Sequence, residues 1–184
     1  MPMLVLALLG VLSIGAVATG LVLAPSTPDL VVHNGLGETS LAPSFTYYVR
    51  SSAAPAETVR VSFTAPDRLT ESLFRGRVTG RPVRTVSAKG TYARQAALKP
   101  FNELQNVEGF SASGPNFVAT RSASSLVSPN EASQVSGSVH YTATVNSGYL
   151  VRLVAQYHYS TPGGTETGTD RLLVTTIGGQ PVAS

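Results

Sequence analysis

The sequence predicts an α+β domain that is built mainly on an antiparallel β-sheet of seven or more strands. Two observations predict the sheet. Apolar residues alternate at period two in several separate stretches, and turn-forming residues stand between those stretches. A third observation, the uniform apolarity of residues 3–24, predicts a transmembrane or signal helix before the domain.

Composition limits the classes of protein and site that this chain can represent. Removing residues 1–30 leaves about 154 residues, a normal size for one domain. The sequence has no cysteine, which excludes disulfides, thiol catalysis, cysteine metal sites and a lipid-attachment cysteine. Arginine outnumbers lysine 11 to 2, which is typical of a GC-rich bacterial genome.

Residues 1–24 are interpreted as a transmembrane anchor or an export signal. The apolar stretch 3–24 contains no charged residue and would span about 33 Å as a helix, which is enough to cross a bilayer core. Its length favours a permanent anchor, whereas Ala16-Val17-Ala18 offers a cleavage signal, so both readings stay open. Residues 25–42 are interpreted as a tether, and residues 43–184 as an extracytoplasmic β-rich domain.

The clearest hairpin joins Ser44–Ser51 to Glu57–Thr64. Each stretch has three apolar residues at period two, and a proline-containing link lies between the stretches. If Val49 is opposite Val59, all six apolar side chains share one face, whereas a shift of one residue would separate them.

A second hairpin is predicted near the C-terminus. Val135–Val145 and Tyr149–Tyr159 both alternate, and Asn146-Ser147-Gly148 is read as a three-residue turn. This turn would place Val145 opposite Tyr149. One face of the hairpin is then apolar, and the other carries hydroxyl, histidine and arginine side chains.

The remaining elements are less strongly marked. Arg94–Val107 has apolar residues at helical spacing, with Pro100 predicting a late start or a kink, and Ala123–Ser133 is a candidate for a short second helix. Further strands are expected at Leu69–Phe74, Pro82–Ser87, Asn116–Thr120 and Arg171–Ile177.

Catalytic and metal-binding constellations cannot be assembled from this sequence. His33 falls in the predicted tether, and His140 and His158 fall on the polar face of the second hairpin without facing each other. No nucleophile elbow, phosphate-binding loop or dinucleotide fingerprint occurs in the sequence. We therefore expect no enzyme activity, no metal and no cofactor.

One run of the chain is strongly basic. It has no acidic residue between Glu71 and Glu103. The simplest interpretation is a solvated face, and the sharper one is contact with anionic lipid headgroups of a ligand or of the membrane. The residues of this predicted headgroup contact are Arg75, Arg77, Arg81, Arg84, Lys89, Arg94 and Lys99.

The order of elements resembles the LolA-type family of periplasmic lipoprotein carriers and the related mycobacterial glycolipid-carrying lipoproteins. The resemblance covers roughly residues 40–180 and is carried by Ser44-Phe45-Thr46, by Val59–Thr64 continuing into Ala65-Pro66-Asp67-Arg68, and by the turn 146–148 with Tyr149-Leu150-Val151. It implies a curved half-barrel sheet with helices over its open face. It also implies an apolar cavity for acyl chains. The chain departs from the family because it lacks the anchoring cysteine.

Together these observations predict a membrane-associated extracytoplasmic domain that binds a lipid or another hydrophobic ligand without covalent chemistry. The alternative is a tethered interaction or sensor domain of a bacterial envelope complex. The expected partners are the membrane, a lipid and an envelope protein, and nucleic acid is not expected. We expect a single-pass membrane protein, or a secreted one if the signal is cleaved. The predicted ligand-binding face consists of Phe45, Tyr47, Val49, Val59, Val61, Phe63, Val139, Tyr141, Leu153 and Tyr157.

Overall fold

A computed structural model describes residues 27–76 and 78–183. The predicted anchor or signal over residues 1–24 lies outside the described residues. No helix among residues 27–76 and 78–183 is long and apolar enough to cross a membrane.

The described chain forms one antiparallel sheet with helices on one face. The helices are α1 (Pro28–Leu41) and α2 (Ala93–Leu98), with 3₁₀ helices at Lys99–Asn106, Ala123–Leu126 and Ala132–Gln134. The strands are β1 (Ser44–Ser51), β2 (Glu57–Thr64), β3 (Arg68–Arg75), β4 (Arg84–Lys89), β5 (Ser111–Ser113), β6 (Asn116–Ser122), β7 (Ser136–Asn146), β8 (Tyr149–Thr161), β9 (Gly164–Ile177) and β10 (Gln180–Pro181).

The ten strands are arranged in the order β4-β3-β2-β1-β9-β8-β7-β6-β5, with β10 paired to β9. The order is open among the described residues, since β4 and β5 are the two edges. Strand β1 therefore joins an N-terminal meander to a C-terminal meander. The prediction of an antiparallel sheet with seven or more strands is confirmed.

The register of the first hairpin matches the sequence prediction. Val49 pairs with Val59, and Phe45 pairs with Phe63. The two phenylalanine rings stack with centroids 5.3 Å apart. Burial of one continuous apolar row therefore determines which residues are opposite each other in this pair of strands.

The register predicted for the second hairpin is wrong by two residues. Ala143 pairs with Leu153, not with Val151, and a bulge lies between Thr144 and Val145. Ser147 and Gly148 both have positive φ, at 51° and 82°, which is typical of a two-residue type I′ turn. From Ser136 to Thr144 the shift is two residues and keeps each side chain on its predicted face, whereas next to the turn it is one residue, with Val145 paired to Leu150.

The tether predicted over residues 25–42 is wrong for its larger part, because Pro28–Leu41 form α1. Thr27 caps the helix by accepting a hydrogen bond from the backbone nitrogen of Leu30. Val32 and Leu36 are one helical turn apart and are 0 % and 5 % exposed. This apolar stripe lies against β7 and β8, so the segment belongs to the folded domain.

The helical middle of the chain agrees with the prediction in outline. The predicted helix Arg94–Val107 is divided into α2 and a 3₁₀ helix that begins at Lys99, just before Pro100. The second predicted helix, Ala123–Ser133, is only a pair of separate 3₁₀ turns. The proline ring and its missing N–H explain the first division.

Candidate ligand-binding site

The two faces of the sheet differ in which elements pack on them. Helix α1, helix α2 and the 3₁₀ helix after α2 pack on the face that carries Tyr47 and Phe63. We call this side the helix-covered face. We call the opposite side the hydroxyl face. It includes Tyr48, Arg60 and Leu173, and Tyr48 pairs with both of the other two residues.

All ten residues of the predicted ligand-binding face are brought together by the structure, but in the helix-packed core. Seven are at most 6 % exposed, and Val49, Val59 and Tyr157 are partly buried against them. Tyr47 shows how the helices fill this side. Its hydroxyl donates to the backbone oxygen of Ala97 at 2.7 Å, and its ring meets Phe101 edge-on at 5.2 Å. Around Tyr47, a packed interior therefore occupies the place of the expected acyl cavity.

Three of the predicted residues nevertheless line a cavity of about 430 Å³ at one end of this core. They are Val139, Tyr141 and Tyr157, and Arg121 and Asp170 complete its polar wall. The Nε atom of Arg121 is buried without a hydrogen-bond partner among the described residues.

A larger cavity, of about 1210 Å³, lies on the hydroxyl face. Sequence reasoning did not locate a cavity on this side. Its floor is formed by the central strands β1, β9 and β8, and two turns from opposite ends of the strand order reach it. Val78 and Thr79 follow β3, and Pro115 lies between β5 and β6. This arrangement is expected for a sheet that bends around the cavity. The lining residues are Tyr48, Arg50, Thr58, Val78, Thr79, Pro115, Asn116, Thr144, Val145, Asn146, Val151, Arg152, Arg171, Leu172, Leu173, Thr175 and Ala183.

Three arginines line this cavity, and no aspartate or glutamate among the described residues does. Arg50 and Arg171 are directly opposite each other in β1 and β9. Arg152 lies diagonally across from Arg171, because Arg152 pairs with Leu173 and Arg171 with Val154. Like charges at directly opposed positions destabilise a sheet. The Nε atom of Arg50 donates to the Oγ1 atom of Thr58 at 2.9 Å, which orients the guanidinium.

The structure does not assemble the predicted headgroup contact into one patch. Arg75 forms an ion pair with Glu57 at 3.3 Å. Arg84 and Lys89 are exposed on β4, and their register with Leu73 and Arg68 places them on opposite faces of the sheet. Arg81 is exposed in the loop after β3, and Lys99 is exposed at the start of a 3₁₀ helix. Arg77 lies outside the described residues.

Arg94, the remaining member of that set, has a structural role. Its guanidinium donates hydrogen bonds to the backbone oxygen of Ser40 and, at 3.0 Å, to that of Ala42. It also lies over the ring of Phe63, 4.5 Å from the centroid. Arg94 therefore satisfies carbonyls at the C-terminal end of α1.

The histidines take three separate positions. The Nε2 atom of His33 donates to the backbone oxygen of Val107 at 3.0 Å, which ties α1 to the segment after the 3₁₀ helix. His140 and His158 lie on the hydroxyl face as predicted, and each is hydrogen-bonded to a threonine of a neighbouring strand, Thr120 and Thr167 respectively. No cluster of three or more His, Cys, Asp or Glu side chains that could hold a metal ion occurs among the described residues.

Two tyrosines have a raised pKa for different reasons. Burial raises the pKa of Tyr47, and the nearby carboxylate of Glu71 adds to the effect. For the exposed Tyr159, the main cause of the raised pKa is its hydrogen bond to Glu166, at 2.6 Å. A raised pKa keeps both phenols protonated at neutral pH, so neither is an activated nucleophile.

Comparison with known proteins identifies only distant structural similarity. No family model matches the sequence, and no curated protein matches it. LprF from Mycobacterium bovis is 12 % identical, with a TM-score of 0.46 over 85 % of this chain and 94 % of that chain. The redesigned β-barrel mFAP1, solved bound to DFHBI, is 12 % identical, with a TM-score of 0.21 over 76 % of this chain and 98 % of that chain. Both TM-scores are below 0.5, so no argument is based on them, and the resemblance to the lipoprotein carriers stays a prediction.

Proposed function

We propose that this domain binds a lipid or another amphiphilic anion without covalent chemistry, in the cavity on the hydroxyl face. The observation that carries the proposal is the combination of an apolar floor with three arginines and no aspartate or glutamate among the described lining residues. The ligand class is the one expected from the sequence, but the site lies on the opposite side of the sheet.

The size and lining of the cavity support an elongated ligand. About 1210 Å³ exceeds the roughly 300–1,000 Å³ of sites for drug-sized molecules. Val78, Val151 and Leu173 offer apolar contact, and burying a methylene group is favourable by about 0.8 kcal/mol. An acyl chain can therefore gain affinity from length alone.

The three arginines account for the anionic part of the ligand. Arg50 and Arg171 repel each other at opposed positions, and a carboxylate or phosphate between them relieves this repulsion. Guanidinium groups bind both anions through paired hydrogen bonds. A bound anion thus offsets the unfavourable pairing of Arg50 with Arg171.

A fluorescent long-chain fatty acid tests the proposal on the full chain. Arg152→Gln combined with Arg171→Gln is expected to weaken binding at least tenfold, and Leu173→Trp is expected to block the cavity. Arg84→Gln on the edge strand β4 removes a charge outside the cavity and is expected to bind like the wild type. The apolar segment 3–24 is identical in all variants and contributes equally to each. Equal binding by all of them, with folding verified by circular dichroism, would contradict the proposal.

A second candidate is an interaction or sensor domain of an envelope complex. The filled core on the helix-covered face favours it, because such a domain needs a packed interior and a functional outer surface. Native mass spectrometry of protein purified from a lipid-rich host separates the two candidates. A bound lipid supports the first, and an empty protein that is crosslinked to one specific envelope partner supports the second.

A further inference from the structure

The acidic residues of the described strands are confined to one face of the sheet. Following the strand pairings from Tyr48 outward, the hydroxyl face consists mostly of serine and threonine and carries no aspartate or glutamate at any described strand position. The same pairings place every carboxylate of the described strands on the helix-covered face. These are Glu57, Glu71, Glu166 and Asp170.

The charged residues of the described strands on the hydroxyl face are therefore all basic. Only one ion pair occurs among the side chains that the structure describes, between Arg75 and Glu57, and both of its members lie on the other face. The basic residues of the hydroxyl face consequently have no carboxylate within ion-pair distance. They are Arg50, Arg60, Arg68, Lys89, Arg152 and Arg171.

We propose that the hydroxyl face docks on the surface of an anionic lipid bilayer. Charge complementarity identifies the partner. The six cations lie on the six neighbouring strands β4, β3, β2, β1, β9 and β8, and no acidic residue of the described strands shares their face. Basic residues near an anionic bilayer each contribute about 1 kcal/mol, or roughly a fivefold gain in affinity. Short hydroxyl side chains between them let the face approach headgroups without inserting apolar groups.

This inference rests on the proposed function, because docking would bring the ligand cavity to the membrane surface. The cavity opens on the same face as the six cations. A docked domain therefore presents its cavity to the headgroups, and a lipid enters or leaves without crossing bulk water. Arg68 and Lys89 are opposite each other at one corner of the sheet and do not line the cavity, so docking and ligand binding can be separated experimentally.

The experiment is vesicle co-sedimentation of the full chain with matched variants of β3 and β4. Arg68→Gln with Lys89→Gln removes two charges from the hydroxyl face. Arg75→Gln with Arg84→Gln removes two charges from the same two strands on the other face. Vesicles contain either phosphatidylcholine alone or phosphatidylcholine with one third phosphatidylglycerol. The readout is the ratio of the affinity for anionic vesicles to the affinity for neutral vesicles. The uncharged segment 3–24 is the same in every variant and contributes equally to this ratio.

We expect the first double variant to lose about 20- to 30-fold in binding to anionic vesicles and nothing in binding to neutral ones. The second double variant should keep the wild-type ratio. Equal losses in both variants, or no preference of the wild type for anionic vesicles, would overturn docking through this face. Tighter binding to soluble dextran sulfate than to anionic vesicles would also overturn it, in favour of a polyanionic chain.

Failure of docking and failure of the proposed function give different results. The first double variant is expected to bind the fluorescent fatty acid like the wild type, because neither residue lines the cavity. If docking fails, this fatty-acid binding remains. If the cavity does not bind ligand, the variants at Arg152 and Arg171 bind the fatty acid normally while the vesicle preference persists.

Discussion

The Oγ1 atom of Thr39 accepts a hydrogen bond from the backbone nitrogen of Leu150 at 3.0 Å, and both residues are completely buried. The same hydroxyl donates to the backbone oxygen of Gly35 at 2.8 Å, within α1. Leu150 pairs with Val145, next to the bulge of the second hairpin. One side chain therefore joins α1 to the point where the sheet register shifts.

Replacing Thr39 with valine keeps the shape of the side chain but leaves the Leu150 N–H without this acceptor. Such a loss costs about 1–3 kcal/mol. Urea unfolding is expected to show this decrease in the free energy of unfolding. Thr39→Ser retains the hydroxyl and should lose clearly less. Equal stability of Thr39→Val and wild type would show that α1 is not fastened to the sheet in this way.

Gly168 provides the space that Tyr157 occupies. The two residues pair across β8 and β9, and a Cβ atom on Gly168 would lie 2.3 Å from the tyrosine Oη atom. Gly168→Ala is expected to displace the ring and to destabilise the domain by about 1–3 kcal/mol. Thermal unfolding measures the effect. Gly163→Ala, whose Cβ would be no closer than 3.6 Å to its neighbours, is the matched control and should be neutral. Matching losses at the two glycines would refute the steric explanation.

Burial of Tyr47 predicts a specific weakness at alkaline pH. Its pKa is raised in the folded protein, so above about pH 10 the unfolded chain loses the phenolic proton while the folded one retains it. The free energy of unfolding should therefore fall with rising pH, by up to about 1.4 kcal/mol per pH unit from this residue. Tyr47→Phe removes this contribution and should flatten the slope above pH 10, although it also loses the hydrogen bond to Ala97. An unchanged slope in denaturant titrations between pH 9 and 11.5 would contradict this assignment.

Arg94 is expected to contribute to folding and not to ligand or vesicle binding. Its guanidinium bridges two carbonyls and covers the ring of Phe63, contacts that a lysine ammonium cannot reproduce together. Arg94→Lys should therefore destabilise the domain by about 1–3 kcal/mol in urea unfolding. Arg84→Gln, on the exposed edge strand, should change stability by less than about 0.5 kcal/mol. A fully stable Arg94→Lys that binds anionic vesicles more weakly would restore the headgroup role predicted from the sequence.

The sequence predicted the sheet well because burial of one face enforces alternation. The register from Phe45 to Val49 follows from that pattern alone. At the second hairpin the same pattern gave the correct faces as far as Thr144 but not the correct pairing, because a two-residue shift preserves the faces. Beside the bulge, Val151 lines the cavity on the hydroxyl face. Only the turn distinguishes the two registers, and the positive φ of Ser147 is not evident from its residue type.

Helix α1 was missed because its local signals are weak. Gly35 and Gly37 lower helix propensity, and the apolar stripe consists of little more than Val32 and Leu36. Contacts between α1 and the sheet compensate for this low helix propensity. A Cβ on Gly35 would lie 3.0 Å from Val145, so the glycine lets the helix approach the sheet closely. That approach depends on residues more than 100 positions away and has no local signature.

The larger cavity lies on the side of the sheet opposite to the predicted ligand-binding face. Sequence alternation separates apolar from polar faces, but it does not reveal which face the helices fill. The polar alternation did contain the useful signal. Arg152 belongs to the predicted polar face of the second hairpin, and a comparison of the polar faces across all strands would have revealed that they lack carboxylates.

The most direct test is a crystal structure of the protein with a long-chain fatty acid brominated at its terminal carbon. Anomalous scattering locates the bromine without reference to a starting model. We predict a bromine peak in the cavity on the hydroxyl face, near Val78, Val151 and Leu173, with the carboxylate within hydrogen-bond distance of Arg152 or Arg171. A bromine peak in the helix-packed core beside Tyr47 and Phe63 would contradict the account, and so would an unoccupied cavity in crystals that hold the fatty acid elsewhere.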